Sequence, residues 1–156
     1  MKTLLLTFSF LILAACARHD HARAGDLVVS TPWSRQTPAS ATVAAGYLTI
    51  SNAGHRDDRL LAVESPLAER VEIHEMRLEG EVMRMRELTD GLPIPAGQTV
   101  VLAPGGNHLM FIAPTRHFIA GEALPATLVF REAGRVPVAF EIRGMAAQDS
   151  EAHSHH

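Results

Sequence analysis

Two histidines and two methionines stand at spacings that favour a soft metal site. They are His74, Met85, His108 and Met110. Neutral imidazole and thioether groups suit Cu(I), whereas hard carboxylate groups suit Mg²⁺ or Ca²⁺. A thioether is also not consumed by disulfide formation, so it remains a ligand in an oxidising compartment. The sequence therefore predicts a soft metal site, of a kind that suits Cu(I), in this stretch of the chain.

A β-hairpin around Glu79-Gly80 would bring several of these donors together. If those two residues form the loop, with glycine taking the positive φ, His74 lies opposite Met85 and Met76 lies opposite Met83. All four side chains then share one face, since side chains alternate along a strand. Opposed Cβ atoms lie about 4.5–5.5 Å apart, which is close enough to share a metal.

The register of this hairpin stays open. A three-residue loop would place Met85 opposite Glu75, break the cluster and lose a pairing of Glu75 with Arg84. Met76 and Met83 are candidates for auxiliary metal ligands or for packing, because methionine commonly fills gaps in protein cores.

His108-Leu109-Met110 repeats the same spacing further along the chain. On a strand, His108 and Met110 point the same way and Leu109 points into the core. The preceding Pro104-Gly105-Gly106 predicts a tight turn, which places His108 near the rim of a sheet. Each residue alone is consistent with a structural role. Their joint pattern within 37 residues favours ligation.

The N-terminus predicts export and lipid anchoring. Residues 1–15 form a signal peptide with the basic Lys2 and a short apolar run. Leu13-Ala14-Ala15-Cys16 resembles a bacterial lipobox, which predicts lipidation of Cys16; the alternative is an ordinary signal cut elsewhere. Residues 16–25 are then a flexible tether. The predicted location is the bacterial periplasm, with a membrane anchor.

The single cysteine and the charge balance exclude several functions. Cys16 is the only cysteine, so intrachain disulfides, cysteine-based zinc sites and thiol nucleophiles are absent. A blue-copper electron-transfer centre is disfavoured because it needs a cysteine ligand. The formal net charge of −3 and the 5% aromatic content argue against nucleic-acid binding. No catalytic constellation stands out, so an enzyme is not expected.

The remaining chain reads as one all-β domain over residues 26–145. Short runs rich in Val, Ile, Leu, Thr and Phe alternate with Gly, Pro, Asn and Asp clusters, which predicts a Greek-key β-sandwich or barrel. The predicted strands are Asp26–Ser30, Thr42–Asn52, Leu60–Ser65, Arg70–Leu78, Val82–Leu88, Gln98–Leu102, Asn107–Ile112, Ala126–Arg131 and Val136–Ile142.

The last eleven residues, 146–156, lack apolar periodicity and are predicted to be a disordered tail. His153, His155 and His156 give this tail a metal-binding composition. Because imidazoles alone lack soft sulfur, we expect the tail to hold Cu(II) rather than Cu(I).

These motifs together resemble the periplasmic copper chaperones of the PCu(A)C family. The family's copper motif is His, ten residues, Met, about 21–22 residues, then His-x-Met. Here ten residues separate His74 from Met85 and 22 separate Met85 from His108, while Asn107 stands where an aromatic residue is common. The other matching segments are Pro32–Arg35, Ala45–Asn52, Asp57–Leu61, Val71–Met76, Val82–Arg86, Ile94–Gly97 and Pro104–Met110.

The resemblance implies a cupredoxin-like β-sandwich that binds one Cu(I) at His74, Met85, His108 and Met110. It implies a copper carrier that delivers towards the Cu(A) site of cytochrome c oxidase, with an oxidase subunit or a Sco-type protein as partner. Most relatives are soluble, so the predicted lipid anchor is a departure. The alternative function is a β-sandwich lipoprotein with a structural or other binding role, in which the methionines only pack.

Overall fold

The structure is a computed structural model and describes residues 21–144. Within this range the regular secondary structure is all strand, so the all-β prediction is confirmed. Each of the nine predicted strands is present with ends shifted by a few residues, and two short strands are added. The strands are β1 (His21–Ala24), β2 (Leu27–Arg35), β3 (Val43–Asn52), β4 (Asp58–Glu64), β5 (Ala68–Glu79), β6 (Val82–Glu87), β7 (Leu92–Ile94), β8 (Thr99–Leu102), β9 (His108–Pro114), β10 (Ala123–Phe130) and β11 (Arg135–Arg143).

Seven of the strands close into a barrel. Their order is β2-β11-β10-β4-β5-β9-β3, and β3 pairs back with β2. The β2–β11 pair is parallel and the other barrel pairs are antiparallel. The remaining strands extend this barrel: β1 pairs with β2, β6 with β5, β7 with β4 and β8 with β3. The sequence predicted either a sandwich or a barrel, and the structure is a barrel.

The barrel interior is filled by one face of each strand. Ile73 of β5 and both Leu109 and Phe111 of β9 are at most 4% exposed and belong to this core. Phe111 meets Phe118 and Phe140 edge to face, with ring centroids 5.8 and 5.7 Å apart. Because side chains alternate along a strand, the even-numbered residues of β5 from Arg70 onward and those of β9 face the outside of the barrel.

Gly46 lets β3 pass close to this aromatic cluster. A Cβ at Gly46 would lie 2.6 Å from Cε2 of Phe111, which is closer than two non-bonded carbon atoms can approach. Gly46 pairs with Leu109 in the β3–β9 register. The glycine thus allows β3 and β9 to lie side by side over the fully buried ring of Phe111.

The predicted flexible tether of residues 16–25 differs from the structure at its C-terminal end. Residues His21–Ala24 form β1, which pairs antiparallel with β2 after a turn in which Gly25 adopts a φ of 59°. Backbone pairing to an existing strand orders this segment despite its polar side chains. The predicted signal peptide, the lipidation site Cys16 and the tail with His153, His155 and His156 lie outside the described residues.

Among residues 21–144, no helix has the length and apolar character that crossing a membrane would require.

Candidate metal-binding site

The β5–β9 pair brings the two predicted histidine ligands together. His74 is paired with His108, and their ring centroids are 5.6 Å apart. The same register places Glu72 opposite Met110. All four side chains lie on the outer face of the barrel, on the opposite side of the strands from Ile73 and Leu109. Both histidines are nevertheless only 8% exposed.

The predicted register of the β5–β6 hairpin is wrong by two residues. The loop is Gly80-Glu81, and Met76 rather than His74 lies opposite Met85. Gly80 has a φ of 66° at the first loop position, where a two-residue loop of the type II′ kind accepts glycine. The prediction had placed this glycine at the second loop position.

A two-residue shift preserves the faces of both strands, whereas the three-residue loop would have reversed one of them. Met83 now lies opposite Leu78, and Glu87 lies opposite His74. The predicted pairing of Glu75 with Arg84 is also wrong, since Arg86 Nη2 donates to Glu75 Oε2 over 3.0 Å.

An open cavity of about 480 Å³ gathers four of the six candidate side chains from the folded domain. Its lining includes Met76, Met85, His108 and Met110. His74 is outside this lining and contacts the site through the ring of His108. Met83 is 49% exposed and is also outside the lining, although it shares its strand and face with Met85.

Two connections wall the cavity. Gln36 and Thr37, which follow β2, line one part, and Pro104 and Gly105 of the β8–β9 loop line another. The first connection is fixed by backbone hydrogen bonds from Gln36 to Arg143 and from Thr37 to Phe118. The turn predicted at Pro104-Gly105-Gly106, before His108, is also present, and two of its residues line the cavity.

Each imidazole uses one nitrogen in the protein and leaves the other free. Nδ1–H of His108 donates to the carbonyl oxygen of Gly106 over 3.0 Å, which leaves a lone pair on Nε2. Nε2–H of His74 donates to Oε2 of Glu72 over 2.8 Å. Nδ1 of His74 is buried and has no hydrogen-bond partner. A neutral imidazole binds a metal through the nitrogen that carries no proton.

Glu72 is a contributor that the sequence analysis missed. Its carboxylate accepts from His74 and also from Nε of Arg70 over 2.8 Å. The hydrogen bond from His74, followed by that from Arg70, holds the pKa of Glu72 below its usual range. The available signal was the spacing Glu72-x-His74, which puts both side chains on one face of a strand.

The donor set of this cavity is soft and neutral. Within residues 21–144, no group of three or more His, Cys, Asp or Glu side chains is placed to hold a metal. Thioether groups supply most of the donors around His108, and Cu(I) favours such ligands. The arrangement can hold a soft metal ion such as copper close to solvent.

Comparisons with known proteins agree with this fold. The family model LpqE-like, described as "Putative lipoprotein LpqE-like", matches residues 27–142. A curated relative, "Putative lipoprotein Lxx21020" of Leifsonia xyli subsp. xyli (strain CTCB07), is 30% identical over 131 residues, which cover 84% of this chain and 78% of the relative. Both names agree with the predicted lipoprotein class.

Solved structures share the barrel. The copper-bound PCuAC domain from PmoF2 is 27% identical with a TM-score of 0.68, over 80% of this chain and 97% of that domain. The solution structure of CuI-DR1885 from Deinococcus radiodurans is 25% identical with a TM-score of 0.60, over 72% of this chain and 74% of that chain. The predicted cupredoxin-like fold class is confirmed, and the fold is of the copper-chaperone type. The chain belongs to the LpqE-like family, a family of the PCu(A)C type.

Proposed function

We propose that this protein is a Cu(I)-binding metallochaperone of the bacterial periplasm, with His74, Met85, His108 and Met110 as ligands. The observation that carries the proposal is the convergence of thioethers and imidazoles on one outer face of the barrel. Met85, His108 and Met110 line a single cavity, and His74 is paired with His108 across the strands. The copper named in the descriptions of two structural neighbours supports the choice of metal.

Met76 is proposed as a fifth candidate ligand. It lies directly opposite Met85 and lines the same cavity. Met83 is the weaker candidate, because it is outside the lining and half exposed at 49%. A set of interchangeable thioethers suits a carrier, since each ligand can be replaced in turn by a donor from the recipient.

The recipient is proposed to be a copper-accepting protein such as the Cu(A) subunit of cytochrome c oxidase or a Sco-type protein. The open position of the cavity supports transfer by direct contact. Anchoring through a lipidated Cys16 would confine this transfer to partners at the membrane surface. The histidines of the tail, His153, His155 and His156, are proposed to hold Cu(II) weakly beside the main site.

The test is a Cu(I) titration of the protein carrying Cys16→Ser, so that no thiol competes. Competition with a Cu(I)-specific chelator should give one tightly bound Cu(I) per chain. A double variant with His74→Ala and His108→Ala should lose this tight binding. If the double variant binds Cu(I) as the parent does, the two histidines are not ligands and the assignment fails.

A further inference from the structure

The two candidate histidine ligands are held by opposite ring nitrogens. A backbone carbonyl holds Nδ1 of His108, and a side-chain carboxylate holds Nε2 of His74. The nitrogen left over on His74, Nδ1, is a buried side-chain polar atom without a partner, and it is the one such atom found within residues 21–144. A buried polar atom without a partner costs free energy, so its presence in a folded protein calls for an explanation, and a bound metal ion is one.

We propose that Glu72 is a positioning residue for copper, an inference that rests on the proposed function. Its carboxylate fixes the Nε2–H tautomer of His74, so that His74 binds Cu(I) through Nδ1. His108, fixed by Gly106, binds the same ion through Nε2. The carboxylate thereby selects which nitrogen of His74 is offered to the metal.

The geometry selects this tautomer. Oε2 of Glu72 lies 2.8 Å from Nε2 of His74. With the proton on Nδ1 instead, two lone pairs would face each other at this distance, and a buried N–H donor would lack an acceptor. In the Nε2–H tautomer, His74 donates a hydrogen bond to the carboxylate of Glu72. The atom left without a partner is then Nδ1, which carries a lone pair and no proton.

The carboxylate is itself held in place. Nε of Arg70 donates to its other oxygen, Oε1, over 2.8 Å, so both oxygens of Glu72 are engaged. Glu72 and His74 are two residues apart on β5 and therefore share a face. A carboxylate that accepts the second N–H of a ligating histidine also makes that histidine a more basic ligand.

The first test is long-range ¹H–¹⁵N NMR of the histidine rings, in the apo-protein and after addition of one equivalent of Cu(I). In the apo-protein, His74 should show a protonated Nε2 and His108 a protonated Nδ1. Cu(I) should then shift Nδ1 of His74 and Nε2 of His108, with both protons retained. A copper shift at Nε2 of His74, or a protonated Nδ1 in the apo-protein, overturns the inference and leaves the proposed function standing. A protein that binds no Cu(I) overturns both.

The second test uses substitutions at Glu72. Glu72→Ala removes the acceptor and should weaken Cu(I) binding by about 10–100-fold, the usual effect of losing a partner of a metal ligand. Glu72→Gln keeps a carbonyl oxygen for Nε2–H, so it should retain the apo tautomer and most of the affinity. If Glu72→Ala binds as the parent does, or if Glu72→Gln is as weak as Glu72→Ala, the positioning role is refuted.

Glu75→Ala is the matched control. Glu75 lies on the same strand, on the opposite face, and forms an ion pair with Arg86. Its loss should leave both the Cu(I) affinity and the tautomer of His74 unchanged. The ring NMR spectrum of each apo variant also reports whether the barrel is folded, so a folding defect is separated from a lost positioning contact.

Discussion

Met83 and Met85 form a natural pair for separating ligation from packing. Both lie on β6, both face the outside of the barrel and both are 49% exposed. Only Met85 lines the cavity. Replacing either by leucine keeps the volume and the apolar character of the side chain. Because each side chain is half exposed, either change should alter the free energy of unfolding of the apo-protein by about 0.5 kcal/mol or less.

The effect on copper should differ between the two variants. Met85→Leu removes a proposed thioether ligand, so Cu(I) affinity should fall by more than about tenfold, equivalent to about 1.4 kcal/mol. Met83→Leu should leave the affinity nearly unchanged. Urea denaturation of the apo-proteins measures the free energy of unfolding, and chelator competition measures the Cu(I) affinity. Equal copper affinities in the two variants would refute the assignment of Met85, as would a large loss of apo stability in Met85→Leu with normal copper binding.

Three further outcomes are expected. Gly46→Ala should destabilise the fold by about 1–3 kcal/mol in chemical denaturation, because its Cβ would overlap the ring of Phe111; an unchanged midpoint would contradict the close approach of β3. The hydrogen bond from His74 lowers the pKa of Glu72, so this group stabilises the fold above its unfolded pKa of about 4.3. That contribution should be lost as the pH falls through the lowered folded pKa. The difference in unfolding free energy between the parent and Glu72→Gln should therefore shrink below about pH 4.3. A difference that stays constant with pH would contradict this role of Glu72. Deleting residues 146–156 should abolish weak Cu(II) binding, measured by electron paramagnetic resonance, and should leave Cu(I) affinity intact.

The strands and their faces could be predicted from sequence because alternation and turn residues are local signals. The even-numbered residues of β5 and the odd-numbered residues of β6 share a face, as the pattern predicted. The partner of each residue could not be predicted, because Glu79-Gly80-Glu81 allows two loops that differ only in which position glycine occupies. That choice moved Met85 from opposite His74 to opposite Met76.

Contacts between strands that are far apart in the chain could not be predicted from the sequence either. Nothing local indicates that His74 pairs with His108, because β5 and β9 are separated by three strands in the chain. The hydrogen bond between Glu72 and His74, by contrast, could have been predicted from the sequence. Its spacing is local, and a search for carboxylates two residues from each candidate histidine would have found it.

The parallel pairing of β2 with β11 bears on how the chain folds. β2 ends at Arg35 and β11 begins at Arg135, so closure of the barrel waits for the last strand to be available. Such long-range pairing slows folding, since the entropy of a large loop must be lost before the contacts form. The backbone hydrogen bond from Gln36 to Arg143 belongs to the same late event. One wall of the cavity is therefore completed only when the barrel closes. A nascent or truncated chain would present its methionines and histidines without that enclosure.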